Sequence, residues 1–320
     1  MGAISRTAKR RPATQKPHTK TPLWKQYWKN RYLVLLFIPA IIFYALFAYG
    51  PLYGIQIAFK DFIFTRGIWD SPWVGLKHFE RLFNLGSFWE VFGNTLIISA
   101  YKFIFGFPAP IILALMLNEV SQKRFKKAVQ TISYLPHFLS WVVLGGLFMQ
   151  FLSPSIGPIN IFLKSLGIEP IYFLADTKWF RSVLVITSIW KGMGWSSIIY
   201  LAALSGVDPT LYEAATMDGV TRLQRIWYIT LPSITPVITI QLIFAVQGLV
   251  ADDFDQVYNL YSPAVYSVGD VLGTYVYRLG MIDMEYSFST AVGLFRNIIS
   301  FIFIILANSI AKRVNDYGLW

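Results

Sequence analysis

Six stretches of this 320-residue chain stay apolar for long enough to cross a bilayer, a length of about 20 residues for an α-helix. They run Tyr32–Phe59, Phe88–Leu117, Val129–Leu152, Phe180–Leu204, Leu231–Val250 and Thr290–Ala311. The pattern predicts an all-α polytopic membrane protein with six transmembrane helices. Composition agrees. The chain is 55% hydrophobic and 14% charged, whereas a soluble domain carries about 25% charged residues. Cysteine is absent, which excludes a disulfide scaffold, thiol catalysis and thiolate metal sites. His18, His78 and His137 lie far apart, without metal-ligand spacing.

The first, second and fourth stretches exceed the minimum, so tilt or protrusion is expected. Pro108 and Pro110 in the second, Pro136 in the third and Pro236 in the fifth predict kinks or local breaks.

The net charge of +11 is distributed by topology. With the N-terminus inside, the inner segments carry 17 Lys/Arg and the outer ones 7. The positive-inside rule therefore places both termini in the cytoplasm. Acidic residues lean the other way, with Asp252, Asp253, Asp255, Asp270, Asp283 and Glu285 in the last outer loop. The excess basicity reads as contact with an anionic inner leaflet rather than with nucleic acid. The expected organisation is a disordered basic tail over 1–31, a first helix with an outer amphipathic segment over 32–87, a helical core with the inner loop 208–232 over 88–313 and a short tail over 314–320. The apolar run after the tail is too long for a cleaved signal peptide.

Two loops stand out. Trp73–Phe83 places Leu76, Phe79, Leu82 and Phe83 on one helical face, with Lys77, Glu80 and Arg81 away from it, an amphipathic helix on the membrane surface or the bundle. The inner loop 208–232 reads DPTLYEAATMDGVTRLQRIWYITLP. Asp208 can cap a helix that has Pro209 at its first position. Gly219 then permits a bend or a positive φ, and Val220–Tyr228 reads as a second short helix before the next span begins at Leu231-Pro232. Glu213 offers a carboxylate to a basic partner, and Ala214 and Ala215 allow close approach.

Glu213-Ala214-Ala215, three residues, Gly219, nine residues, Ile229, one residue, Leu231-Pro232 resembles the signature loop of bacterial ABC importer permeases at every position. Pro51–Phe59, Trp73–Leu76, Leu113–Glu119, Tyr134–His137, Gly192–Ser197 and Phe254–Leu260 are similar to the carbohydrate branch of that family, the permeases for oligosaccharides or polysaccharide fragments. These include the alginate importer permease and lipoprotein-associated permeases. The likeness covers about 32–313. It implies a type I importer fold in which the loop is a cytoplasmic coupling helix docking on an ATPase. Tyr212, Glu213, Ala214, Ala215, Met217, Asp218 and Gly219 would form that contact. It also implies a second similar permease, an ATPase dimer that binds ATP and Mg²⁺, an extracellular solute-binding lipoprotein and a bacterial cytoplasmic membrane. The chain itself shows no G-x-x-x-x-G-K-[S/T] phosphate loop, so no cofactor is expected in it.

Sugars are held by polar groups and aromatic faces. Lys191, Trp195 and Tyr200 in the fourth span, and Gln247 and Asp252 at the end of the fifth, are the candidate substrate-path residues. Lys191 is the sharpest, because an ionisable residue inside a span is a functional site by default. Lys191 could instead snorkel to the outer interface or pair with an acid of the sister subunit, and Lys102 and Arg296 share that ambiguity. Gly192 and Gly194 leave space beside Trp195, and His137 reads as a packing residue. The alternative is an ion-coupled secondary transporter, which needs inverted repeats and buried carboxylates. The spans show no clear repeat, and their one acid is Glu90 at an edge. A membrane enzyme would have only Asp252, Asp253 and Asp255 to work with.

Overall fold

The computed structural model describes residues 24, 28–248 and 253–315. The tails expected over 1–31 and 314–320 lie mostly outside the described residues, and so does Asp252. Regular structure among the described residues is helical, with one isolated antiparallel bridge between Lys60 and Trp73.

Two compact units divide the chain after Gly54. The first unit contains α1 (Arg31–Tyr44), which runs on through a π-helical turn at Ala45–Tyr49. No residue of α1 is buried. A helix that is apolar all round and uncovered is one that belongs in lipid.

The second unit holds α2 (Lys77–Asn84), α3 (Gly86–Gly106), α4 (Pro108–Glu119), α5 (Lys123–Tyr134), α6 (Trp141–Phe151) and α7 (Pro158–Ser165). They are followed by α8 (Phe180–Ser205), α9 (Pro209–Met217), α10 (Leu231–Gln247), α11 (Phe254–Leu260), α12 (Leu272–Tyr277) and α13 (Tyr286–Asn315). At its centre α8 packs on α3, α4, α5 and α10. Glycines set the closest of these contacts. A Cβ on Gly194 would sit 1.9 Å from the Ser133 carbonyl oxygen, so α8 and α5 can touch only because that atom is missing. A Cβ on Gly145 of α6 would lie 2.9 Å from the Asn259 carbonyl oxygen of α11.

The prolines act unequally. Before Pro108, Phe107 keeps helical dihedrals and its N–H bonds to Phe103 O, so α3 and α4 form one span, Gly86–Glu119. The break expected there is only a local change of bonding. Pro236 sits inside α10 without interrupting it. Pro136 has the large effect. It opens a 3-10 turn, Leu135–Phe138, after which Leu139 and Ser140 are extended and α6 leaves at 105° to the preceding helix. Ser140 caps α6 by accepting the Val143 N–H. The third span is thus a right-angled pair rather than a kinked helix. Among the described residues five helices are long and apolar enough to cross a membrane, or six if this pair counts as one span.

Three other expectations need correction. The segment after Gly219 is not a separate short helix. Arg222–Arg225 passes through a π-helical turn, Ile226–Thr230, directly into α10, so the fifth span is continuous over Arg222–Val246. The amphipathic helix begins at Lys77, and its covered face is His78 and Leu82, with Leu76 and Phe83 exposed. Two groups explain the rotation. His78 Nε2 lies 3.1 Å from both the Lys60 carbonyl and the Asp61 carboxylate, which anchors that side of the helix inward. Finally, the last outer loop, whose length suggests an open docking segment, is largely core: Val257, Leu260, Val265, Val271 and Leu272 are buried.

Candidate functional site

Two features of the second unit carry candidate function. One is the exposed helix α9, and the other is a cavity between α3, α8, α10 and α11.

Local chemistry at both ends builds α9. Asp208 Oδ1 accepts the Thr210 N–H at 2.9 Å, with Pro209 at the first helical position. This bond holds the Asp208 carboxyl below its ordinary pKa. At the other end Gly219 has φ +71. Its N–H bonds to Thr216 O and the Val220 N–H to Ala215 O, the two bonds of a Schellman ending. Thr221 and Gln224 then cap the next helix reciprocally. Nothing lies within 4 Å of a Cβ built on Gly219, so the backbone angle alone requires glycine there.

Of the seven loop candidates, Ala215 is buried and Tyr212 half-buried, while Glu213, Ala214, Met217, Asp218 and Gly219 face outward. Met217 is 89% exposed. The inward side ties α9 to two spans. Tyr212 Oη lies 3.2 Å from Thr230 Oγ1 at the start of α10. Arg225 bonds to Glu119 at the end of α4 at 3.2 Å and to Thr216 Oγ1 at 3.4 Å. Sequence reasoning missed Arg225, Glu119 and Thr230. A signal existed, since Glu119 ends the 113–119 motif and Arg225 is one of two bases in the loop.

The cavity has a volume of about 460 Å³, within the range of small-molecule sites. Ser188, Gly192, Ser196 and Tyr200 form its α8 wall, one residue per turn. Lys102, Gln241 and Asp253 add polar groups from α3, α10 and the start of α11. Of the substrate-path candidates, Tyr200 lies on the wall of this cavity. Lys191 and Trp195 are not among the lining residues, because they lie on the neighbouring stripe of α8. The Lys191 ammonium donates to Leu139 O at 2.7 Å and sits 5.1 Å from the Trp141 ring centroid, which satisfies the carbonyl exposed by the break in the third span. Trp195 stacks on His137 with centroids 4.5 Å apart and planes 1° off parallel. The Gln247 side chain, like Asp252, lies outside the described residues.

Lys102 is the cation that does line the cavity. Its ammonium donates to Asp253 Oδ2 at 2.7 Å and to Gln256 Oε1 at 2.5 Å. Gln256 is fully buried, and its amide donates to Leu184 O and Thr187 Oγ1 of α8.

Comparison with known proteins places this architecture. The family described as binding-protein-dependent transport system inner membrane component matches residues 106–316. The chain is 42% identical over 292 residues to protein LplB of Bacillus subtilis (strain 168), covering 91% of this chain and 92% of that one. It is 44% identical over 292 residues to the polygalacturonan/rhamnogalacturonan transport system permease protein YteP of the same organism, covering 91% of each. A chain from the crystal structure of a bacterial ABC transporter involved in the import of the acidic polysaccharide alginate shares 41% identity at a TM-score of 0.86, covering 92% of this chain and all of that one. A glycine-ended exposed helix feeding a membrane span, in a helical bundle that matches such proteins along nine tenths of its length, shows that the chain belongs to the binding-protein-dependent transport system inner membrane components, the permease subunits of ABC importers.

Proposed function

We propose that this chain is the permease subunit of an ATP-driven importer of oligosaccharides or polysaccharide fragments. It forms a translocation path together with a second, similar permease. A pair of ATPase subunits binds ATP and Mg²⁺ on the cytoplasmic side, where both termini lie. An extracellular solute-binding lipoprotein delivers the sugar.

The observation that carries this reading is the construction of α9. Its outward face joins Glu213, Ala214 and the exposed Met217, a surface suited to a groove with a basic rim. Its inward face reaches α4 through Arg225 and Glu119, and α10 through Tyr212 and Thr230. A displacement of α9 by the ATPase is thereby passed to two spans that border the cavity. Because the fifth span begins at Arg222, Gly219 is the turn that joins the docking helix to that continuous rod.

Glu213→Ala and Gly219→Pro test the reading. Both variants should remain in the membrane and lose ATP-driven uptake in proteoliposomes that contain the whole importer. Proline fixes φ near −65°, incompatible with the +71 found at residue 219. Full sugar-stimulated ATPase activity and uptake in both would overturn the coupling role of α9.

A further inference from the structure

Lys102 stands near the middle of the Gly86–Glu119 span, where an ionisable side chain is costly unless it is paired. The arrangement around it is asymmetric. Gln256, its neutral acceptor, is fully buried and itself anchored at both amide hydrogens to α8. The anionic acceptor is Asp253, whose side chain is 52% exposed while that of Lys102 is 15% exposed. One partner fixes the position of the ammonium, and the other can leave it for water at small cost.

Asp253 also occupies the N-cap position of α11 without capping it. Aspartate at such a position ordinarily accepts an N–H of its own helix, and here the carboxylate is turned to Lys102 instead. An ammonium has three donors; two are taken, and the third finds no acceptor among the described residues. Among the described residues of the cavity wall the charged ones are Lys102 and Asp253, and they are paired with each other.

Resting on the reading above, we infer that Lys102 selects the substrate: it binds the carboxylate of an acidic sugar, a uronate residue of the oligosaccharide, with Asp253 as the exchangeable stand-in when the cavity is empty. On entry the sugar carboxylate replaces that of Asp253. Lys102 stays paired throughout, so the ammonium is never stranded in a low-dielectric site. Gln256 keeps it in place during the exchange. Asp253 is a competitor in this scheme, which gives its removal the opposite sign from removal of Lys102.

The test is uptake by proteoliposomes containing the complete importer, with trigalacturonate and its fully methyl-esterified form as probes. The two match in length and ring stereochemistry and differ in charge. Every variant is compared with the wild type using the same binding protein, so selectivity upstream cancels. Lys102→Met should lower the acid-to-ester uptake ratio roughly tenfold or more, the loss of one charge-assisted hydrogen bond. Lys102→Arg should restore most of that ratio, and Asp253→Asn should lower the apparent KM for the acid. Copurification with the partner subunits checks assembly. If Lys102→Met fails to assemble, the direction of the Asp253→Asn effect decides alone. An unchanged ratio in Lys102→Met, or an unchanged or raised KM in Asp253→Asn, overturns the inference. Wild-type uptake of the ester without the acid overturns it too, while leaving the oligosaccharide reading intact. Uptake of neither probe nor of any neutral oligosaccharide by the assembled complex removes that reading and the inference with it.

Discussion

Helices α9 and α11 are both short, each has an aspartate at its N-cap position, and they are held by opposite means. Asp208 caps α9 from its own side chain, Gly219 closes the other end, and a single residue, Ala215, is buried. In α11 the carboxylate of Asp253 goes to Lys102 of another helix and caps nothing. Gln256, Val257 and Leu260 are buried, and α6 approaches so closely that only glycine fits at 145. One helix is written by local chemistry and keeps its outer face exposed. The other exists because its neighbours hold it. The difference teaches where each is vulnerable: α11 should fail when packing is disturbed, and α9 when its ends are.

Gly145→Leu attacks that contrast most severely. Its Cβ would meet the backbone of Asn259 at 2.9 Å, and overpacking of this kind costs about 3 kcal/mol. A marked fall in thermal stability in detergent is expected, and a wild-type melting curve would show that α11 does not depend on α6. Gln256→Leu should cost about 2 kcal/mol, because it strips a buried acceptor from Lys102 and leaves polar groups of α8 facing an apolar side chain. The same measurement applies, and stabilisation by leucine would mean that the amide is dispensable.

On the α9 side the effects are smaller and local. Gly219→Ala places a Cβ in open space but at φ +71, a strain of about 1 kcal/mol. Hydrogen exchange should quicken at the end of α9 and hold steady in α11; equal change in both would erase the distinction. The smallest effect is that of acid. Hydrogen bonding by the Thr210 N–H lowers the Asp208 pKa in the folded protein. A depressed folded value means that the stabilisation is complete above the unfolded pKa of about 3.9, and is lost as pH falls through the folded value. Protection of the first amides of α9 should therefore decrease below that range, and Asp208→Asn should abolish the pH step.

Much of this molecule was decided by sequence alone, and the physical reason is range. Apolar runs of bilayer length, helix ends such as Asp208 and Gly219, and the spacing of the 213–232 motif act over a few neighbouring residues, so they can be read in order along the chain. The helical class, the first, second, fourth and sixth spans and the exposed α9 followed from them. What required the tertiary structure was rotation and partnership. Residues 191 and 195 differ by one helical turn and residues 192 and 196 by the same turn, yet only the second pair faces the cavity. A step of 100° per residue separates the two stripes, and nothing local says which points inward. The right-angled break after Pro136 depends on Lys191 of α8, 52 residues away, satisfying the Leu139 carbonyl. The pairing of Lys102 with Asp253 and Gln256 spans about half the chain. Such contacts are chosen when helices pack, because only then do desolvated polar groups have to find one another.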